Sequence, residues 1–356
     1  MKIIKTALRT ILFTGLLACT ADLSADLLRE QSPLPALLES ETSRNLVVQF
    51  LGAGGVFLHY GDQSLMGDPF FSNPPVTDWL LLRDLKSLPD VIDANLPPLD
   101  QVRGILVGHG HFDHAMDVPY IAQKLPASVN VYGSNTVRNL LVPELAAERL
   151  VGLDSKMAHD QKGGEWVQVS PRLRVLPIYS EHAPHFGETL MASGQVEQPL
   201  THRPGDALDW KAGPNLNYVI DFLDVETGGE PRVAFRLFYQ SSASNSPLGF
   251  PPHWLVDDGV PFDLALLCAA NYSHVRGYPQ DVLAYLHPRQ VLLIHWEKFW
   301  DDYSTTQATP LPGMDFAELE QRIRAVLGDQ VPVRLMNRGG AFQLERAAST
   351  HNVPRT

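Results

Sequence analysis

The chain has 356 residues, of which 44% are hydrophobic and 19% charged. That balance describes a globular protein and excludes disordered and fibrous classes. Forty acidic against 28 basic side chains leave a net charge of −12, which argues against nucleic acid as the main partner, because a phosphate backbone wants Lys and Arg in excess. After residue 30 nothing approaches the ~18 apolar residues of a membrane span, so a soluble body is expected.

Residues 1–25 have a different character. Lys2, Lys5 and Arg9 precede a short apolar stretch, residues 11–18, and then Cys19. A basic start and a brief apolar core form a secretory signal, to be left out of the fold argument. Leu16-Leu17-Ala18-Cys19 resembles a bacterial lipobox, whose cysteine becomes the lipidated first residue. The other readings are a plain signal cleaved after Ala25 and an uncleaved anchor. The expectation is therefore an exported, periplasmic protein, with a membrane contact through a lipid on Cys19. Cys268 is the only other cysteine, so no disulfide framework exists. Within its apolar run it should be a buried small hydrophobe.

A polar, Pro-containing linker spans residues 26–44, a single domain 45–346, and a short tail 347–356. Short apolar runs separated by turn residues open the domain: 46–51, 56–60 and 64–66 read as strands joined by Gly-rich turns. Residues 102–107 form a buried strand. Runs at 129–132, 166–169, 173–178, 218–222, 233–238 and 291–294 repeat the pattern. Helices are expected at 117–125 (with Asp117 as N-cap), 135–141, 279–286 and 315–327. His287-Pro288 reads as a helix-ending turn. Strands dominate both halves with helices interspersed, which predicts an α/β protein with sheet packed on sheet and helices outside. Three stretches, 186–214, 242–258 and 299–312, lack periodicity and carry Pro with aromatic residues. Such segments are either binding loops or surface insertions.

The chemistry concentrates at His109-Gly110-His111-Phe112-Asp113-His114, directly after a buried strand. Imidazole and carboxylate are good ligands for zinc and related divalent ions. A turn at a strand end can aim alternate side chains at one point, with Gly110 allowing a tight bend. Three His and one Asp in six residues point to metal binding.

These residues resemble the His-x-His-x-Asp-His signature of the metallo-β-lactamase superfamily. The resemblance runs from about Leu46 to Leu344. It includes Leu51-Gly52-Ala53-Gly54-Gly55, Gly67-Asp68-Pro69-Phe70, Ile178-Tyr179-Ser180-Glu181-His182 and Leu292-Leu293-Ile294-His295. It implies an αββα four-layer sandwich with the site at one edge. One metal would be held by His109, His111 and His182, a second by Asp113, His114 and His295, most simply as two Zn²⁺, with Mn or Fe as other occupants. Asp113 would also orient a water. Asp68 would either fix a histidine tautomer or serve only its turn. Ser241 stands where many superfamily hydrolases carry a metal-bridging Asp, and serine is a poor ligand; Asp221 is the nearest upstream acid.

His185 could reach substrate or protonate a leaving group, and His274 could line the cleft. The segment Trp296-Glu297-Lys298-Phe299-Trp300 could wall the metals, with Glu297 solvated or paired with Lys298. The expected chemistry is metal-dependent hydrolysis of an ester-type bond in a small or lipid-like molecule: phosphodiester, lactone or carboxylic ester. The resemblance lies closer to the lactonase and phospholipase-D-like branch than to true β-lactamases. No arginine cluster suited to a phosphate clamp is visible. The rival classes are an iron-dependent oxidoreductase or sulfur-handling enzyme of the same fold, and a non-catalytic metal-containing lipoprotein.

Overall fold

A computed structural model describes residues 32–38, 44–185, 187–224, 231–304 and 307–346. The signal, Cys19 and the tail 347–356 lie outside the described residues. Among the described residues no helix is long and apolar enough to cross a membrane.

Two sheets face each other. The first has the spatial order Ala341–Leu344, Leu46–Gly52, Gly55–Tyr60, Gln63–Gly67, Val102–Leu106, Asn130–Gly133, Leu150–Gly152. The second runs Val333–Leu335, Val291–Ile294, Leu264–Cys268, Arg232–Gln240, Asn215–Asp224, Leu173–Ser180, then the two-residue strands Ala158–His159 and Lys162–Gly163; Val167–Ser170 pairs the start of Leu173–Ser180, on the side away from Asn215–Asp224. The two-residue alternation of a strand sorts side chains between layers. Leu46, Val48 and Phe50 point into the core between the sheets, on the side of the second sheet that carries Val175, Tyr218 and Leu237. Val47 and Leu51 point outward, where Leu34, Ile121 and Ala122 cover them. On the far side Val282, Leu283, Phe316 and Ile323 close the second sheet. The result is the expected helix–sheet–sheet–helix sandwich.

Helix ends follow the local chemistry, with one exception. Asn135–Leu141 starts at Ser134, whose Oγ accepts the Val137 N–H (3.3 Å), and Phe316–Leu327 starts at Asp315, which accepts from Glu318 N (2.9 Å). Such caps satisfy an otherwise orphaned donor. Asp117, expected to cap Val118–Gln123, makes no such bond. Its carboxylate instead accepts from Phe71 N, Ser72 N and Ser72 Oγ at 2.6–2.9 Å, tying the turn after Gly67 to the helix layer. His287 ends Gln280–Leu286 in a left-handed cap, as expected. Part of the stretch read as linker is ordered: Ser32 donates to Ala341 O (2.8 Å) and Leu34 is buried.

Strand direction explains where the site lies. Gln63–Gly67, Val102–Leu106 and Asn130–Gly133 are parallel, as are Arg232–Gln240, Leu264–Cys268 and Val291–Ile294. Leu173–Ser180 is two antiparallel steps from Arg232–Gln240, so it shares that direction. The segments after residues 67, 106, 180, 240, 268 and 294 therefore emerge at one edge, where ligand sites in open sheets collect.

Candidate metal centre

Six side chains meet at that edge in two groups, His109–His111–His182 and Asp113–His114–His295, and within each group the ligand-capable atoms lie within 4.8 Å of one another. All are buried except His182, which is half-buried. In each group two residues follow the first sheet's strand Val102–Leu106 and the third follows a strand of the second sheet.

The hydrogen bonds around the rings decide which nitrogens face inward. His114 Nδ1 donates to Asp68 Oδ2 (2.7 Å), leaving Nε2 as a lone pair 3.3 Å from His295 Nε2. His111 Nε2 donates to Met191 O (3.1 Å), leaving Nδ1 3.0 Å from His109 Nε2. His182 Nδ1 donates to Ala183 O (2.6 Å). Ser241 Oγ donates to Asn215 Oδ1 (3.1 Å) and so can accept from His109 Nδ1, at 3.5 Å. Each of these four rings has its outer N–H directed at an oxygen, which is how proteins orient metal-binding histidines. Converging lone pairs repel unless a cation sits among them. The donor set therefore fits divalent ions.

Asp68 is more than a turn residue. Fully buried, it also accepts from Gly108 N (2.7 Å) and Tyr239 OH (2.6 Å). His295 sits at φ +55°, and its N–H donates to Ala53 O (2.7 Å), itself at φ +47°. Left-handed backbone at non-glycine residues is costly and gathers at functional sites.

Burial sets the charges. It drives His109 and His182 well below the usual imidazole value, helped by the neighbouring imidazoles, and His111 down to about 3. Burial also lowers His185, to about 4. For His114 burial acts downward too, but Asp68 and Asp113 outweigh it and raise the value. Burial pushes Asp113 upward, yet the imidazoles of His114 and His295 hold it well below the carboxylate range. A histidine depressed in the fold takes up its proton on unfolding, so stability is lost as pH falls below the unfolded value of 6.5 toward the folded one. His114 acts oppositely, its contribution being present below 6.5 and lost as pH rises through its raised value. Four depressed histidines against one raised predict that chelator-treated protein melts about 5–10 °C lower at pH 5 than at pH 7.5. Equal melting temperatures would contradict the assignment.

Gly110 is needed for a reason other than a tight bend. It lies outside the left-handed region, but a Cβ there would sit 2.1 Å from Lys211 O and 2.6 Å from Leu140 Cδ1. Its own N–H donates to Ala212 O (2.9 Å). Gly110→Ala should push the 191–212 segment off the His111 turn and cost about 1–3 kcal/mol, read by denaturant unfolding.

The other expected residues divide. His185 stacks on His182 (4.8 Å between centroids) and its Nδ1 accepts from Met191 N (3.2 Å). His274, exposed, donates from Nδ1 to Pro184 O (3.0 Å). Both line a cleft of about 470 Å³ that also contacts His111, Asp113, His182 and His295. Ser241 reaches the centre, as aligned. Asp221 does not: it is buried against Arg236 and Arg174, further back along the sheet. Cys268 is buried, with its thiol pushed up to about 12 by that burial. Glu297 is neither solvated nor paired with Lys298. It is fully buried, accepting from Ala53 N (2.8 Å) and facing Arg338 Nε at 3.4 Å. Trp296 lies in the core between Phe50 and Phe316, whereas Phe299 and Trp300 do wall the cleft. The stretch 186–214 supplies Met191 and Ala192 to the cleft and is tied down through Asn139 Nδ2 to Val196 O (2.8 Å). The sequence offered no signal for Tyr239, Arg338 or Trp79, whose partners are all distant in the chain.

No family model matches the chain, and no curated protein matches it in sequence. Solved structures do. Igni18, a metallo hydrolase from the archaeon Ignicoccus hospitalis, superposes with a TM-score of 0.50 at 13% identity, covering 85% of this chain and 100% of its own. An isothiocyanate hydrolase from Delia radicum gut bacteria gives 0.48 at 12% identity over 83% and 98% of the two chains. CmlA, a diiron β-hydroxylase from Streptomyces venezuelae, gives 0.47 at 14% over 85% and 55%. With its two facing sheets, its outer helices and the His/Asp clusters at one edge, the chain has the metallo-β-lactamase fold.

Proposed function

We propose that the protein is a metal-dependent hydrolase that cleaves an ester-type bond with water. The observation that carries this reading is that the two three-residue groups present His111, Asp113, His182 and His295 to the floor of an open cleft. Structural metal sites are usually closed and cysteine-rich, whereas catalytic sites keep a position open to substrate. Divalent ions held there would polarise the scissile group and make water acidic enough to lose a proton near neutral pH.

The chain's own groups fill the remaining roles. Asp113, held anionic by its imidazole neighbours, accepts a hydrogen bond from the attacking water and orients it. His185 is uncharged at neutral pH, and because its Nδ1 accepts from Met191 N, its proton resides on Nε2. It therefore serves as a neutral hydrogen-bond donor to a leaving oxygen and not as an imidazolium acid. His274, at the mouth with its Nδ1 committed to Pro184 O, presents an accepting Nε2 to bound substrate.

The test combines metal analysis with a substrate screen. Purified protein should carry one to two equivalents of zinc, manganese or iron and should turn over p-nitrophenyl esters, lactones or bis-p-nitrophenyl phosphate. Chelation should abolish that activity and added Zn²⁺ restore it. Full activity in metal-free protein would overturn the mechanism, and redox turnover without hydrolysis would favour the iron-oxidoreductase alternative.

A further inference from the structure

The cleft's walls are unlike its floor. From His295 a row of rings runs outward: Phe299 lies 5.3 Å from His295, Trp300 5.0 Å from Phe299, and Trp79 5.5 Å from Trp300, centroid to centroid. Leu311 and Met314 add further apolar surface. Among the described residues that line the cleft there is no lysine or arginine, and Asp113 is the only carboxylate. Away from the floor, where the two groups would hold divalent ions, an anionic group would find no guanidinium or ammonium partner, in a chain that already carries −12.

The ring row is held in place. Arg338 donates to the carbonyls of Lys298 and Asp302 and lies over the Tyr303 ring, 5.5 Å from its centroid. Asn73 Nδ2 donates to Asp301 O (2.8 Å), and Lys298 N to Thr309 O (2.7 Å). The backbone on either side of Phe299 and Trp300 is thus fixed, and half-exposed aromatic rings on a fixed backbone form a preorganised surface that costs little entropy to bind against.

We propose that Phe299, Trp300 and Trp79 form the specificity subsite for an uncharged, apolar acyl or aryl group, so that the substrates are neutral carboxylic esters or lactones and not phosphodiesters. This rests on the hydrolase reading of the adjoining centre. A volume of about 470 Å³ suits a molecule of drug-like size, with the scissile carbonyl over the floor and the apolar group along the rings.

The experiment uses p-nitrophenyl acetate, butyrate and hexanoate, bis-p-nitrophenyl phosphate, and N-phenylhexanamide as an uncharged, slowly cleaved probe. With metal-loaded protein, kcat/KM should climb by up to about fourfold per added methylene, mainly through KM, and the phosphodiester should be the poorest substrate. Trp300→Ala should collapse the hexanoate-to-acetate ratio about tenfold, Trp300→Phe should restore most of it, and Trp79→Ala should act in the same direction. N-phenylhexanamide, followed by calorimetry, should bind the parent protein and bind Trp300→Ala at least tenfold more weakly, with melting curves confirming that each variant is folded. A flat ester series with active enzyme would overturn the subsite while leaving the hydrolase reading intact. Faster turnover of bis-p-nitrophenyl phosphate than of the hexanoate would overturn it as well. Trp300-dependent binding of the amide with no turnover of any ester would support the subsite and sink the hydrolase reading instead.

Discussion

Exchanging Asp113 for asparagine is expected to remove one metal equivalent and to lower kcat/KM about 10³–10⁴-fold, the scale on which single essential site groups act. The substitution keeps shape and volume but deletes the only anion in the two groups. Asp113 Oδ2 lies 3.2 Å from His295 Nε2 and 3.6 Å from His114 Nε2. Without that charge the second group becomes two neutral imidazoles and an amide, a weak set for a divalent ion. Asp68→Asn, one step removed through His114 Nδ1, should cost only about 10–100-fold. Elemental analysis after dialysis, paired with the kinetics, separates the two. Full metal content and turnover within twofold for Asp113→Asn would remove Asp113 from the centre.

The largest effect on stability is expected away from the cleft. Arg236 is completely buried. Its Nε and Nη2 donate to the two oxygens of Asp221 at 2.8 and 3.0 Å, and its Nη1 donates to Asp258 at 2.8 Å. Burial alone would lower its pKa, and the two carboxylates reverse that. Asp221 also takes Arg174 Nη2 at 2.8 Å. Asp221→Ala would leave a buried guanidinium with one partly exposed carboxylate and the Leu255 carbonyl (3.3 Å) as its partners, at a cost of about 3–5 kcal/mol. Urea unfolding monitors this, and a loss below about 1 kcal/mol would show that the network is dispensable. Metal content should be unchanged, since no residue of the network is a ligand.

Much of this molecule was legible in its sequence, for reasons particular residues make plain. Runs such as Val291–Ile294 and Arg232–Gln240 have the β-branched, apolar content of buried strands, and Phe316–Leu327 has both its cap and its helical spacing. The strands Leu150–Gly152, Ala158–His159 and Lys162–Gly163 escaped because two or three residues show no period. Val333–Leu335 and Ala341–Leu344 are short and hold Arg334 and Gln343, so nothing local marks them. In the site, His109 to His114 announced themselves by density, whereas the resemblance was needed to join His182 and His295. Glu297 was misread because a carboxylate beside a lysine looks exposed. Its burial depends on Arg338 and Ala53 N, contacts 41 and 244 residues away. Asp221 failed as a ligand candidate for the same reason: only the fold brings Arg174 and Arg236 to it.

The division of each three-residue group between the sheets bears on assembly. Two members follow a strand of the first sheet and one follows a strand of the second, so ions seated there would rivet one sheet to the other. The exposed turn at residues 159–163 offers a place to cut the chain between halves. Fragments ending and beginning there would each carry an incomplete set of donors, and the C-terminal piece would also have to lend Ala341–Leu344 to the edge of the first sheet. Their reunion should therefore be governed by metal concentration, which would make the centre a switch for split-protein complementation.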